Sequence, residues 1–368
     1  MLRFAMKIVS KSPCRVDMAG GTLDIWPLYL FLENPTTVHF AVSRYTTCEL
    51  QTRNDARVVL RSRDLGTEEQ FDSLDALLAA KKYKLQLHAS LLRFFRPEGG
   101  LEMTTHSEAP AGAGISGSSS LMVTCGAALA RLTGMKLPLE KLREVVQNIE
   151  AQVIRVPTGS QDYYPAMYGG VGYIKMSPLG IERVGLPLDL HDFNSRIVLA
   201  YTGIPRNSGI NNWEVMKAHI NGDKKVQKNF DQIAAISYAM RLALEKRDWA
   251  EVGRLVRAEW DHRRKNIPTI STELIDRMVT ATRRVGALGA KVCGAGGGGC
   301  VFFFVEPDAK ARVEAAIARE GAEVLPVTVA PQGVRVTASE RKAGNSARGR
   351  AFQRGQTASS RYRETRSS

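Results

Sequence analysis

The chain has 368 residues, 44% hydrophobic and 24% charged, a balance that suits one large or two medium globular domains with a filled core and excludes a disordered or fibrous protein. No apolar run approaches the about 18 residues that a membrane-spanning helix needs, and Met1–Lys7 lacks the apolar stretch of a secretory leader, so no membrane partner is expected. The net charge of +14 favours anionic partners such as phosphates. Half of it lies in the stretch Arg341–Ser368, where eight Lys or Arg face the single acid Glu364. No recognisable nucleic-acid motif accompanies that charge, which argues against a nucleic-acid partner. The five cysteines are odd in number and form no Cys-x-x-Cys, so neither disulfides nor a zinc site is expected, and a reducing cytoplasm fits.

In chain order, the first informative stretch is Ser12-Pro13-Cys14-Arg15-Val16-Asp17, followed by Met18-Ala19-Gly20-Gly21-Thr22-Leu23-Asp24. Arg15 and Asp17 alternate with apolar neighbours, as on a half-buried strand. An Arg so placed can orient a phosphate or carboxylate in two-pronged fashion, and Asp24 after a Gly-Gly turn can accept from a hydroxyl. Taken alone, the stretch reads rather as a strand and turn with a surface salt bridge.

Residues 108–120 combine Pro110, Gly112, Ala113, Gly114, Ile115, Ser116 and Gly117 with Ser118, Ser119 and Ser120, and run into a helix. Small residues let backbone N–H groups face an anion, and the following helix adds unpaired N–H groups and the positive end of its dipole. Together these make a phosphate site. The serines can cap the helix or ligate Mg²⁺. The loop is neither a Walker A sequence nor the dinucleotide fingerprint. The helix carries Leu121, Cys125, Ala128, Leu129 and Leu132 on one face and stops at Gly134. Pro138 opens another, with Leu142, Val145, Val146, Ile149 and Val153 on its face.

Further along, Tyr173–Met176 follows a Gly-Gly turn as a strand, and Arg196–Tyr201 and Val301–Val305 read as buried strands. Helices are expected over Phe230–Lys246, Trp249–Trp260 and Thr272–Val285. Between them and the last strand, Cys293-Gly294-Ala295-Gly296-Gly297-Gly298-Gly299-Cys300 places five glycines in six positions. That is an entropic load a simple hairpin does not need, and it points to close backbone approach to a ligand or another loop. After about Glu340 the chain is nearly free of aliphatics and is expected to be disordered. The mixture predicts an α+β protein of two lobes, 1–195 and 196–340, with a basic tail 341–368.

The three small-residue stretches, in this order and at these separations, resemble the GHMP kinases (galactokinase, homoserine kinase, mevalonate kinase, phosphomevalonate kinase). Pro110 through Ser120 is similar to the family's central motif, with Gly117 as an extra residue, and Gly294-Ala295-Gly296-Gly297-Gly298 is similar to its C-terminal one. The resemblance is greatest to the bacterial heptose-phosphate kinase and fucokinase branch, through Pro13-Cys14-Arg15 with Gly20-Gly21, through Gly159-Ser160-Gln161-Asp162-Tyr163-Tyr164, and through Ile270-Ser271 with Ile275-Asp276.

The resemblance implies a lobe like the second domain of ribosomal protein S5, a ferredoxin-like lobe, and ATP-dependent phosphorylation of a sugar or sugar-phosphate hydroxyl. It implies Asp162 as the catalytic carboxylate and Arg15 opposite it. The central loop would bind ATP, Glu150 with Ser118 or Ser119 would hold Mg²⁺, and Asp24 would bind the acceptor with Gly20, Gly21, Gly296 and Gly297. A homodimer is compatible with it. The alternatives are a kinase of a non-sugar acceptor, mevalonate- or homoserine-like, and a non-catalytic binding protein of the same fold. Ser116 stands where Gly is usual, Ser120 where Ala is usual, and Leu23 where that branch carries a polar residue.

Overall fold

In the computed structural model, which describes residues 5–205 and 210–341, the alternating stretch around Arg15 lies on one of the longest strands of the molecule. β1 (Ala5–Ala19) runs antiparallel to β2 (Thr36–Arg53). β3 (Val58–Ser62) and β4 (Thr67–Phe71) form a hairpin, and the short α1 (Leu74–Ala79) and α2 (Gln86–Phe95) lead to β5 (Gly100–Ser107). α3 (Gly117–Thr133), α4 (Leu139–Ile154) and the single-turn α5 (Tyr164–Tyr168) follow, then the hairpin β6 (Val171–Ser177) and β7 (Gly180–Leu186). The second half begins with α6 (Leu190–Ser195) and β8 (Ile197–Tyr201). It continues through α7 (Ile210–Ile220), α8 (Lys224–Lys246), α9 (Trp249–Asn266) and α10 (Glu273–Arg283). β9 (Ala287–Val292), β10 (Cys300–Val305), α11 (Lys310–Arg319), β11 (Glu323–Leu325) and β12 (Arg335–Arg341) complete it.

Two sheets organise these elements, giving the expected α+β architecture. The first has the order β12-β1-β2-β5-β3-β4, with β3 and β5 parallel. β2 is shared along its length: Thr36–Phe40 pairs with β6 and Thr46–Arg53 with β5. The second sheet, β11-β8-β10-β9, is antiparallel throughout.

One expectation is corrected here. The second lobe does not run unbroken to residue 340. β12 returns to the first sheet and pairs with β1 from Ala5↔Arg341 to Lys11↔Arg335, because β1 otherwise offers a row of unpaired backbone groups along that edge. The stretch 342–368, expected to be a disordered basic tail, lies outside the described residues.

Helix packing follows the apolar stripes. α3 buries Met122, Val123, Cys125, Ala128 and Leu129, and α4 buries Leu142, Val146 and Ile149 against it. A Cβ at Gly126 would lie 2.6 Å from a Val146 methyl, so this glycine sets how close the two helices come. α3 ends at Gly134 in the left-handed region (φ 70°). A second core joins the two sheets: Phe40 packs edge-on against Phe193 at 5.4 Å and Phe302 at 5.5 Å, with Val16, Leu244 and Phe304 around them. This shared core holds the ends of β1 and β10, and with them their loops, in one place. All five cysteines are buried, and none forms a disulfide. Among the described residues no helix is long and apolar enough to cross a membrane.

Candidate active site

The loop between β5 and α3 is shaped by backbone rather than side chains. Gly112 and Gly114 take positive φ (68° and 78°), and so does Ser116 (59°), where a Cβ is disfavoured by about 1–2 kcal/mol. Ser116 occupies the N-cap of α3 without its hydroxyl capping any N–H, and no acid occupies the first turn. The Ser116 Oγ is buried and has no partner among the described residues. The helix therefore presents its first N–H groups and its dipole to the cleft.

Arg15 braces this loop from β1. Its backbone N–H donates to Ile115 O at 3.0 Å and its guanidinium to Gly114 O at 2.8 Å. The same guanidinium donates to Asp162 Oδ1 through Nε at 2.9 Å and Nη2 at 2.5 Å. Burial works against the Arg15 charge, but Asp162 and Asp17 hold it in place. Both contacts fall on Oδ1, so among the described residues Oδ2 of Asp162 has no hydrogen-bond partner. Asp162 ends a short 3₁₀ turn (Ser160–Asp162) after α4, and its side chain is 27% exposed against 3% for Arg15. The Arg15 end of the pair is thereby buried and the Asp162 end open to the cleft.

Glu150, on α4, is buried beside the start of α3. Tyr163 donates to its Oε2 at 2.6 Å, and Ser118 and Ser119 also hydrogen-bond it. Burial outweighs these bonds and pushes its carboxyl above the ordinary range. Asp24 lies on the other side of the cleft, where its Oδ2 accepts from Gln161 N–H at 2.7 Å and its Oδ1 has no partner. Burial, and then the Asp162 charge, push the Asp24 carboxyl up to about 7. A Cβ at Gly159 would lie 2.2 Å from Asp24, so a glycine is required there for the acid to enter.

These groups line one cleft of about 360 Å³: Arg15, Asp24, Glu150 and Asp162, with Pro110, Gly112, Ala113, Gly114, Ser116, Gly117 and Ser118. Other residues singled out in the sequence do not reach it. Ile115 is core. Ser119 faces Glu150 but does not line the cleft. Ser120 is fully buried, with its hydroxyl 2.9 Å from that of Thr46. Gly20 and Gly21 serve packing, since a Cβ at Gly20 would meet Thr36 O at 2.3 Å and one at Gly21 would meet Asp17 Oδ2 at 2.2 Å. Gly296 fits against Ile270, and Gly297 donates its N–H to Ile270 O at 2.7 Å. From that loop, Gly294 and Ala295 line the cleft instead.

Sequence reasoning missed Asp17 and Arg263 as wall residues, and Lys291 behind them. Lys291 had a readable signal, a lone cation between Ala290 and Val292 on a buried strand. Arg263 sits in the basic run Arg263-Arg264-Lys265 and had none.

Residues 77–170 match the family model of the GHMP kinases N terminal domain, and residues 240–323 that of the GHMP kinases C terminal domain. The chain belongs to the GHMP kinases. This GHMP kinase is 26% identical over 341 residues to D-glycero-alpha-D-manno-heptose 7-phosphate kinase of Campylobacter jejuni, a match covering 89% of the chain and 98% of that protein. It is 26% identical over 372 residues to the L-fucokinase/L-fucose-1-P guanylyltransferase of Bacteroides fragilis, covering 89% of the chain and 38% of that longer protein. Its fold is similar to the crystal structure of a D-glycero-D-manno-heptose 1-phosphate kinase from Bacteroides thetaiotaomicron. The TM-score is 0.72 at 22% identity, with 90% of this chain and 98% of that one covered.

Proposed function

We propose that this GHMP kinase transfers the terminal phosphoryl group of ATP to a hydroxyl of a sugar or sugar phosphate, with Asp162 receiving the hydroxyl proton. One observation carries the reading: the Arg15–Asp162 pair stands directly on Gly114 O of the loop whose backbone is open to the cleft. The first N–H groups of α3 and the unpartnered Ser116 hydroxyl suit phosphate oxygens. Arg15 would balance negative charge on the group in transit, and Asp162 would orient the acceptor oxygen through its unpartnered Oδ2. The bond between the bridging oxygen and the terminal phosphorus breaks to leave ADP, and a new P–O bond forms to the acceptor oxygen.

The donor set also suits Mg²⁺. A buried carboxylate, Glu150, lies beside two serine hydroxyls, all hard oxygen donors. No group of three or more His, Cys, Asp or Glu able to hold a metal by itself occurs among the described residues, which fits an ion that takes its other ligands from phosphates and water. Mg²⁺ bound there would neutralise polyphosphate charge. Asp24 offers an acceptor for a sugar hydroxyl.

The test is ADP release across free sugars, sugar phosphates including heptose 7-phosphate, mevalonate and homoserine, with Mg·ATP. Turnover of a sugar or sugar phosphate that Asp162→Asn abolishes supports the reading. Turnover of mevalonate or homoserine alone, or of none of the panel, removes it.

A further inference from the structure

Behind the acceptor wall lies a set of four charges that the reaction above does not use. Asp17 (β1), Glu259 and Arg263 (α9) and Lys291 (β9) are all buried. Lys291 Nζ donates to Asp17 Oδ2 at 2.8 Å and to Asp17 O at 3.1 Å, and lies 3.5 Å from Glu259 Oε1. Arg263 lies 3.5 Å from both Asp17 Oδ2 and Glu259 Oε1. It also donates to Thr22 Oγ1 at 3.0 Å and to Gly294 O at 3.3 Å. Two acids and two bases balance when all are charged; burial pushes the Glu259 carboxyl up, and Lys291 and Arg263 pull it back down. Burying four ions is poor value for stability alone, since apolar side chains of similar size often do as well. The positions point elsewhere. The set ties together the strand of Arg15, the turn that carries Thr22 and Asp24, and the first glycine of the last loop. Asp17 and Arg263 reach the cleft, while Lys291 and Glu259 stand behind it.

We propose that Lys291 and Glu259 are positioning residues, which hold Asp17 and Arg263 in the acceptor wall and set the electrostatic balance that Asp24 meets there. The proposal rests on the sugar-kinase reading for its kinetic assay only. Asp24 faces acids from two directions, Asp162 from the 3₁₀ turn and Asp17 from β1, and both raise its carboxyl. Arg15 and Arg263 line the same cleft, and Glu150 lies further along it. Lys291, Arg263 and Arg15 hold Asp17 below the usual carboxylate range although burial opposes them, so Asp17 carries the charge that Asp24 meets.

The test uses Lys291→Met, which leaves the set one unit negative, Glu259→Gln, which leaves it one unit positive, and the double variant, which is neutral again. The acidic limb of kcat/KM for heptose 7-phosphate reports ionisation in the free enzyme. Lys291→Met should move that limb to higher pH and Glu259→Gln to lower pH, each by about half a unit to one unit. The double variant should return close to the parent, with KM for ATP within about twofold throughout. Limbs that stay put in both single variants, or move in the same direction, overturn the proposal. Should Lys291→Met not fold, Glu259→Gln against the charge-keeping Lys291→Arg asks the same question. Absence of any turnover of sugars or sugar phosphates by the parent would count against the kinase reading alone. The pH dependence of urea unfolding, in the slope that Asp24→Asn abolishes, then decides the proposal by the same opposite displacements.

Discussion

The two glycine-rich loops meet at the hydrogen bond from Cys300 N–H to Ala113 O at 2.7 Å, yet they use their backbones in opposite ways. In the loop before α3, Ser116 Oγ has no partner and the helix start carries no side-chain cap. In the loop between β9 and β10 the backbone is occupied by protein: Gly297 N–H goes to Ile270 O, Gly299 N–H to Ile204 O at 2.8 Å, and Gly299 O accepts from Thr202 N–H at 3.0 Å. Glycine enrichment thus marks close approach in both, but the first loop turns the Ser116 hydroxyl and the start of α3 towards the cleft, while the second commits Gly297 and Gly299 to protein partners. The second is a clasp that holds the first in shape.

The sharpest way to break this contrast is at the Arg15–Asp162 pair, proposed to be catalytic and set on the open loop. Asp162→Asn should lower kcat by about 10²–10⁴. The melting temperature should fall as well, because the buried Arg15 loses its main charge partner. An Asp162→Asn protein with near-parental kcat would refute its role as base.

Next is the clasp. Gly299 sits at φ +76°, and a Cβ there would lie 2.7 Å from Ala113 O and 3.0 Å from Gly112 O. Gly299→Ala should cost about 3 kcal/mol, from left-handed strain plus overpacking against backbone, and should raise KM for ATP. Gly134→Ala has the same strain with nothing within 4 Å, and should cost only about 1 kcal/mol in the same denaturation assay.

At Asp24 the effect depends on pH. The folded state holds Asp24 up to about 7 against an ordinary value of 3.8, so it binds a proton more tightly than the unfolded chain. Its contribution to stability is complete below about pH 4 and is lost as pH rises towards 7. Asp24→Asn should remove that downward slope, which urea unfolding at a series of pH values would show.

The smallest effect is expected at Ser116. Replacing it with Gly should relieve backbone strain and stabilise the fold by about 0.5–1 kcal/mol, the gain being reduced by the freer unfolded chain. If Ser116 Oγ serves phosphate, KM for ATP should rise in the same variant.

Much of this was legible before any coordinates, and for physical reasons. The apolar stripes of α3 and α4, the Gly134 stop and the Phe-rich β10 are local patterns, and the elements lie close to where the patterns place them. The Arg15–Asp162 pair was reachable only through resemblance, because their 147-residue separation has no local signature. What stayed hidden depends on tertiary geometry. That Gly20 and Gly21 are packing positions is decided by Thr36 O and Asp17 on other turns of the chain. That Ser120 faces Thr46 while Ser118 faces the cleft is decided by the rotation of one helix against a sheet. The Asp17–Lys291 pair joins residues whose own neighbourhoods say only that each is a charge among apolar residues.

The return of β12 to β1 has a consequence for how the molecule is made. Lys7 lies opposite Ser339, so one edge of β1 finds its mate only when a strand far later in the chain has been synthesised. Until then, that edge is a bare template for other strands, and joining it is the pairing of longest sequence separation among the described strands. Nascent chains halted before β12 should therefore be far more prone to clump than completed ones, although both loops that frame the cleft would already have emerged.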